Sequence, residues 1–158
     1  MADQHSSATT NGDQPSQPQV MVQKIYVRDA SIEVPEGPHA FTQDYKPEVN
    51  VDLNTGTQEF GGEDYHILLT VTVTARQQDK TAYIVEVQQA GVFRVHGFAE
   101  DAQRQHALGA YCPSVLFPFV REAVAAMVQR AGFPPFLLQP VNFDALYQEQ
   151  QVRAQQEG

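Results

Sequence analysis

Covalent or metal chemistry needs a nucleophile, a proton carrier or a ligand set brought to one place. Few residues of this chain are of those types. The histidines are His5, His39, His66, His96 and His106, scattered with no pair at metal-ligand spacing. Cys112 is the single cysteine, so neither a zinc site nor an intramolecular disulfide is expected. Cys112 precedes Pro113 at a helix start, where a thiol can have its pKa lowered and become a nucleophile. The apolar residues around it favour a buried structural thiol instead. Glu63 and Asp64 are adjacent carboxylates, but neighbours on a strand point to opposite faces. There is no phosphate loop, no Gly-x-Ser-x-Gly elbow and no dinucleotide fingerprint. The residue types therefore give no positive reason to expect an enzyme, and no metal or cofactor is expected.

What the chain does carry is apolar surface in unusual places. Phe41, Tyr45, Phe60, Phe133 and Phe136 lie in or beside segments rich in Pro and Gly. Each alone could fold inward. Together they could line a groove between a long loop and a sheet, suited to extended apolar polypeptide held by main-chain contacts and side-chain pockets. The segment Pro113 to Ala131 is apolar on too many sides for a monomer to bury. Leu116, Phe119, Val120, Ala123, Val124 and Met127 form one helical stripe, with Val115, Phe117, Ala126 and Val128 off it. Such a helix is wanted by two partners, its own sheet and a copy of itself.

The elements that must position these residues follow from periodicity. Met21 to Val34 alternates as a strand, with Tyr26, Ala30, Ile32 and Val34 on one side and Asp29, Ser31 and Glu33 on the other. Tyr45 to Leu53 is a second extended stretch, ending at the turn-like Asn54-Thr55-Gly56. Tyr65 to Arg76 is the clearest strand, and Thr81 to Phe98 returns after a short polar turn with Tyr83, Val85 and Val87 inward. Short connections imply antiparallel pairing. The period then changes. Asp101 to Leu108 reads as a helical lead-in, and the main helix runs to Arg130 and stops at Gly132. Pro118 either kinks this helix or marks a new first turn. Asn142 caps a last helix beginning Phe143-Asp144-Ala145-Leu146-Tyr147. The expected fold class is α+β: a four-stranded antiparallel sheet with a long helix and a shorter C-terminal helix on one face.

At 158 residues, 42% of them hydrophobic, the chain suits one folded domain with a modest core. Residues 20–147 are expected to form that domain. Residues 1–19 read as a disordered tail and the Gln-rich 148–158 as a helix end that frays. No signal peptide is expected, and no stretch approaches the roughly 20 apolar residues of a membrane span. The lone cysteine suits a reducing cytoplasm. A net charge of −9 argues against nucleic acid, whose phosphates need Lys and Arg. The acids concentrate between Arg28 and Asp64, where they can steer a basic partner or simply solvate a face.

Several segments in one order resemble the bacterial protein-export chaperone family SecB. They are Gly109-Ala110-Tyr111-Cys112-Pro113, Leu116-Phe117-Pro118, Arg121-Glu122 and Pro140-Val141-Asn142-Phe143-Asp144-Ala145-Leu146. Pro38-His39 followed by Phe41, Pro47-Glu48-Val49 and Glu86-Val87-Gln88-Gln89 belong to the same pattern. The resemblance covers about Val22 to Tyr147. It implies a cytoplasmic, cofactor-free homotetramer, a dimer of dimers whose long helices pack between two sheets. It further implies an ATP-independent holdase that keeps secretory precursors unfolded and delivers them to the SecA motor ATPase, with no direct membrane insertion. On the residues alone, a small oligomeric enzyme or a structural assembly subunit stays open.

The resemblance also implies site residues. Asp29, Glu33, Ile84 and Glu86 match the surface that docks the basic, zinc-bearing tail of SecA, the zinc belonging to the partner. Alternation independently puts Asp29 with Glu33, and Ile84 with Glu86, on outward-facing positions. The client groove falls on Ile32, Tyr45, Val51, Leu53, Pro134, Phe136 and Tyr147. Tyr45 stands where the family's pattern has tryptophan, Phe136 where it has a smaller aliphatic residue, and Ile84 where it often has leucine.

Overall fold

A run in which every second residue is bulky and apolar pleats into a strand with one dry face, and two such runs make the centre of this protein. In the computed structural model, which describes residues 17–157, they are β3 (Asp64–Gln77) and β4 (Lys80–His96). Tyr65, Ile67, Leu69, Val71, Val73 and Ala75 are buried, as are Val87, Val85 and Tyr83 opposite the last three. The two strands join through Gln78 and Asp79, both at positive φ as a tight two-residue hairpin turn demands. β1 (Gln19–Glu33) and β2 (Glu48–Gly61) complete the sheet in the order β1-β4-β3-β2, every neighbour antiparallel. The expected tail at residues 1–19 falls mainly on residues 1–16, which lie outside the described residues along with His5.

Two strands depart from their expected course. β2 does not turn at Asn54-Thr55-Gly56: Thr55, Gly56 and Thr57 stay paired with Leu69, Leu68 and Ile67. The turn falls instead at Gly61-Gly62, both at positive φ. Ladder pairing to a buried strand, together with two β-branched threonines, overrides the local turn chemistry. In β1 the register shifts between Val22 and Lys24 and again between Val27 and Asp29. Each shift adds one residue and flips the facing of everything beyond it. Tyr26, expected beside Ala30, Ile32 and Val34, therefore lies opposite Ala90 on the outer face.

α1 (Asp101–His106) runs through a wide π-type turn (Ala107–Tyr111) into α2 (Cys112–Arg130), which continues past Pro118 without a break. α2 crosses the inner face of β3 and β4. Its buried side is Cys112, Pro113, Leu116, Phe117, Val120, Val124 and Val128. Phe117 and Val128 thus belong to the core stripe, and Phe119, placed in that stripe by spacing, is 48% exposed. The opposite side carries Val115, Phe119, Glu122 and Ala126 at i, i+4, i+7 and i+11; Phe119 and Glu122 are exposed, Ala126 is half-buried, and Val115 is half-buried against the edge of the core. By length and composition the continuous run Asp101–Arg130 is apolar enough to cross a membrane, contrary to the reading that no stretch comes near. Its most apolar side is packed on the sheet.

α2 stops at Gly132, whose φ of +96 suits glycine. α3 (Phe143–Gln156) starts where Asn142 Oδ1 accepts a 3.0 Å bond from Ala145 N. It extends to Gln156, so the Gln-rich segment expected to fray is helical. The helices sit on one face of the sheet. Among the described residues, no helix lies on the other face.

Candidate functional site

The reactive types are held apart or silenced. Burial pushes the Cys112 thiol up to about 12, so the nucleophile reading fails on physical grounds. Asp64 accepts two bonds from Arg94, 2.9 and 3.0 Å long, and that guanidinium holds its carboxyl below the usual range. Glu63 turns to His96, 3.7 Å away, so the adjacent carboxylates do not act as a pair. Among the described residues no three His, Cys, Asp or Glu side chains cluster as a metal site would need. A thiol reagent at pH 8 should therefore label Cys112 about a thousandfold more slowly in the folded than in the unfolded protein. Stopped-flow labelling with and without denaturant checks this, and rapid labelling of the folded protein would refute it.

The outer face gathers the acidic set. Glu33 lies opposite Ile84, Ser31 opposite Glu86, and Asp29 opposite Gln88. Asp29, Glu33, Ile84 and Glu86 thus share one face, away from the helices. Asp29 and Glu33 are exposed, and Ile84 and Glu86 are half-buried among their neighbours. Thr72 Oγ1 donates a 3.1 Å bond to Glu86 Oε2 and holds that carboxylate against the neighbouring strand. The same row continues to Asp52 on β2, opposite Thr72. This further exposed carboxylate was legible only as part of the acidic run.

On the inner face the aromatics of the loops do meet. The Phe133 ring is 5.0 Å from both Phe41 and Tyr83 and 5.5 Å from Tyr45. Burial first, and the nearby Tyr45 second, raise the Tyr83 phenol above the ordinary tyrosine value. Phe60 is not part of this cluster. It stands 69% exposed at the far end of β2, beside the turn.

β2 is the edge strand on this side, and its inner row is Val49, Val51, Leu53, Thr55 and Thr57, opposite Ala75, Val73, Val71, Leu69 and Ile67. Val49 and Val51 are 36% and 43% exposed, although their partners are fully buried. The strip is apolar at one end and hydroxyl-bearing at the other. A pocket of about 460 Å³ lies at the hydroxyl end, lined by Thr55, Gly56, Thr57, Gly109 and Tyr147 among others. Tyr147 sits there because Gly109 has no side chain: a Cβ would lie 2.6 Å from its ring. His106 Nε2, 2.8 Å from Asp144 Oδ1, ties α3 to α1 beside it.

Tyr45, Val51, Leu53 and Tyr147 therefore fall on or beside the β2 flank. Phe136 is half-buried and Pro134 exposed on the segment between α2 and α3. Ile32 stands apart on β1, opposite Val85. Val85 and Val73 separate it from Val51, three strand spacings or about 14 Å. The exposure of Val49 was the part of the strip not singled out, although its period-two spacing with Val51 and Leu53 carried the signal. A larger cavity, about 1050 Å³, lies elsewhere, between the start of β1, α1 and the start of α3.

The family model of SecB, preprotein translocase subunit SecB, matches residues 13–155. The chain is 52% identical over 147 residues to the protein-export protein SecB of Alkalilimnicola ehrlichii, spanning 93% of this chain and 77% of that one. It is 46% identical over 157 residues to that of Halorhodospira halophila, spanning 99% and 90%. In shape it is similar to a SecB-like chaperone of Mycobacterium tuberculosis solved with a peptide from an antitoxin. The TM-score is 0.61 over 77% of this chain and 87% of that one, and at 14% identity the likeness is one of fold.

Proposed function

The chain belongs to the SecB family and is a chaperone of protein export, and we propose that it acts as an ATP-independent holdase for secretory precursors, which it passes to the SecA motor ATPase. The observation that carries the client-holding part is the half-exposed Val49–Val51 row on a core-facing side of the sheet. An edge strand whose inner row is left uncovered presents apolar side chains beside free main-chain groups. Extended unfolded polypeptide can satisfy both, while a folded protein offers neither. Tyr45, Leu53, Pro134, Phe136 and Tyr147 would extend that strip, with Ile32 contributing from the other flank. No step of this activity needs a metal, a cofactor or bond-making chemistry.

The working form in this reading is a cytoplasmic homotetramer, a dimer of dimers, in which the Val115, Phe119 and Ala126 side of α2 is covered. The motor would dock on Asp29, Glu33, Ile84 and Glu86. Carboxylates around a half-exposed isoleucine attract a Lys-rich tail at a distance and gain burial on contact. Mixing the protein with a denatured, slow-folding precursor at stoichiometric amounts tests the holdase directly. Refolding and aggregation should both be delayed with no nucleotide present. No delay at stoichiometry would defeat the reading in favour of a structural subunit.

A further inference from the structure

We infer that the outer-face dock does not end at its carboxylates: Tyr26, His66, Leu68 and Val92 form an apolar seat beside them for an aromatic or large aliphatic side chain on the same Lys-rich tail. This rests on the reading of Asp29, Glu33, Ile84 and Glu86 as the docking surface for that tail.

The seat is a product of the bulge in β1. Without the extra residue between Val27 and Asp29, Tyr26 would face the helices. With it, Tyr26 shares the outer face with Asp29, one row along the sheet. Tyr26 and Leu68 flank Ala90 in one row, and His66 lies opposite Val92 in the next. The Tyr26 hydroxyl is 2.7 Å from His66 Nε2, so the two side chains reach across β4 and are fixed over it. Ala90 beneath them is 0% exposed, although no helix among the described residues covers this face. A small residue sealed by its neighbours on an open sheet face means that these side chains lean together into a packed floor. Tyr26 itself remains 37% exposed on top of it.

Position and charge say what fits. From Gln88, opposite Asp29, to Ala90 is two residues of β4, about 7 Å, and from Glu86 it is four, about 14 Å. An extended tail covers that span in two to four residues. The charge reverses along the same line. Beyond the seat stands Lys24, opposite Val92 and in no ion pair among the described residues, whereas Arg94 is neutralised by Asp64. Lys-rich chain is drawn to the Asp29–Glu86 end and repelled at the Lys24 end. The occupant is thus a basic cluster followed, two to four residues on, by one large apolar side chain and then by no further base.

Two synthetic peptides on the purified protein test this: a Lys-rich peptide alone, and the same peptide with Phe three residues beyond its last Lys. Fluorescence anisotropy should show the Phe peptide binding about tenfold more tightly, the size expected for burying most of one large side chain. The double variant Tyr26→Ser with Leu68→Ser should abolish that gain and leave the Lys-only affinity unchanged. Adding two Lys after the Phe should reduce the gain on the wild-type protein, which needs no variant to fold. Glu86→Lys should weaken both peptides together. Equal affinities for the wild-type protein, or a gain that survives the double variant, would overturn the seat. A Lys-only peptide indifferent to Glu86→Lys would overturn the acidic dock itself, and the seat with it.

Discussion

Phe133→Ala should lower folding stability by about 3–5 kcal/mol, the cost of removing a large buried ring whose surroundings cannot close the gap. Phe133 is buried where α2 ends and touches rings from three different segments: Phe41 after β1, Tyr45 before β2, and Tyr83 of β4. Those neighbours are held by the sheet or by the close approach of Phe41 to Gly132, where a Cβ would stand 2.9 Å away. The hole therefore stays open. Urea unfolding at fixed protomer concentration should show the loss as a lower midpoint. Phe60→Ala is the control, since a ring 69% exposed should cost within about 0.5 kcal/mol. A Phe133→Ala loss below that of an ordinary surface change would refute the account of the cluster. Client holding should also suffer, because Tyr45 loses the ring it rests against.

Ala126→Asp should break the proposed tetramer into smaller species while leaving each protomer folded. Ala126 lies on the side of α2 away from the sheet, on one face with Val115, Phe119 and Glu122. Covered by a second copy, a carboxylate there would be buried without a partner, at a cost of several kcal/mol. In the separated protomer it would face water at little cost. Light scattering across a dilution series should show the shift in mass, with far-UV circular dichroism unchanged. A wild-type protein that scatters as a monomer would refute the assembly, and a variant that keeps full mass would move the interface elsewhere.

The parts of the fold legible in the sequence were those in which local preference and tertiary demand agree. β3 buries every second residue from Tyr65 to Ala75 without exception, and the strands on both sides of it need that alternation. The Asn142 cap and the Gly132 stop are single-residue signals with a single physical meaning. What failed were counts that an irregularity resets. The bulge before Asp29 turned Tyr26 over. A glycine inside β2 looked like a turn, because the residues beside it do not reveal that its ladder continues along β3 to Gly61. On α2 the apolar residues outnumber one stripe, so spacing alone could not say that Phe117 goes in and Phe119 stays out.

The acidic face was legible because Asp29, Glu33, Ile84 and Glu86 all lie on the far side of that bulge, where parity holds. The groove set came from family resemblance rather than from pattern. Pro134, Phe136 and Tyr147 sit on segments with no period, and Tyr147 takes its place through the missing side chain of Gly109.

The pairing of β1 with β4 has a consequence for how the protein is made. Glu33 must wait for Ile84, and Gln19 for His96, so roughly fifty or more residues separate every strand partner across this seam. At the usual pace of translation that interval lasts about 3–10 s. Throughout it β1 is an exposed strand with no mate, the kind of segment most prone to join a neighbour on the polysome. The charges of Lys24, Arg28, Asp29 and Glu33 make it a poor template for such pairing.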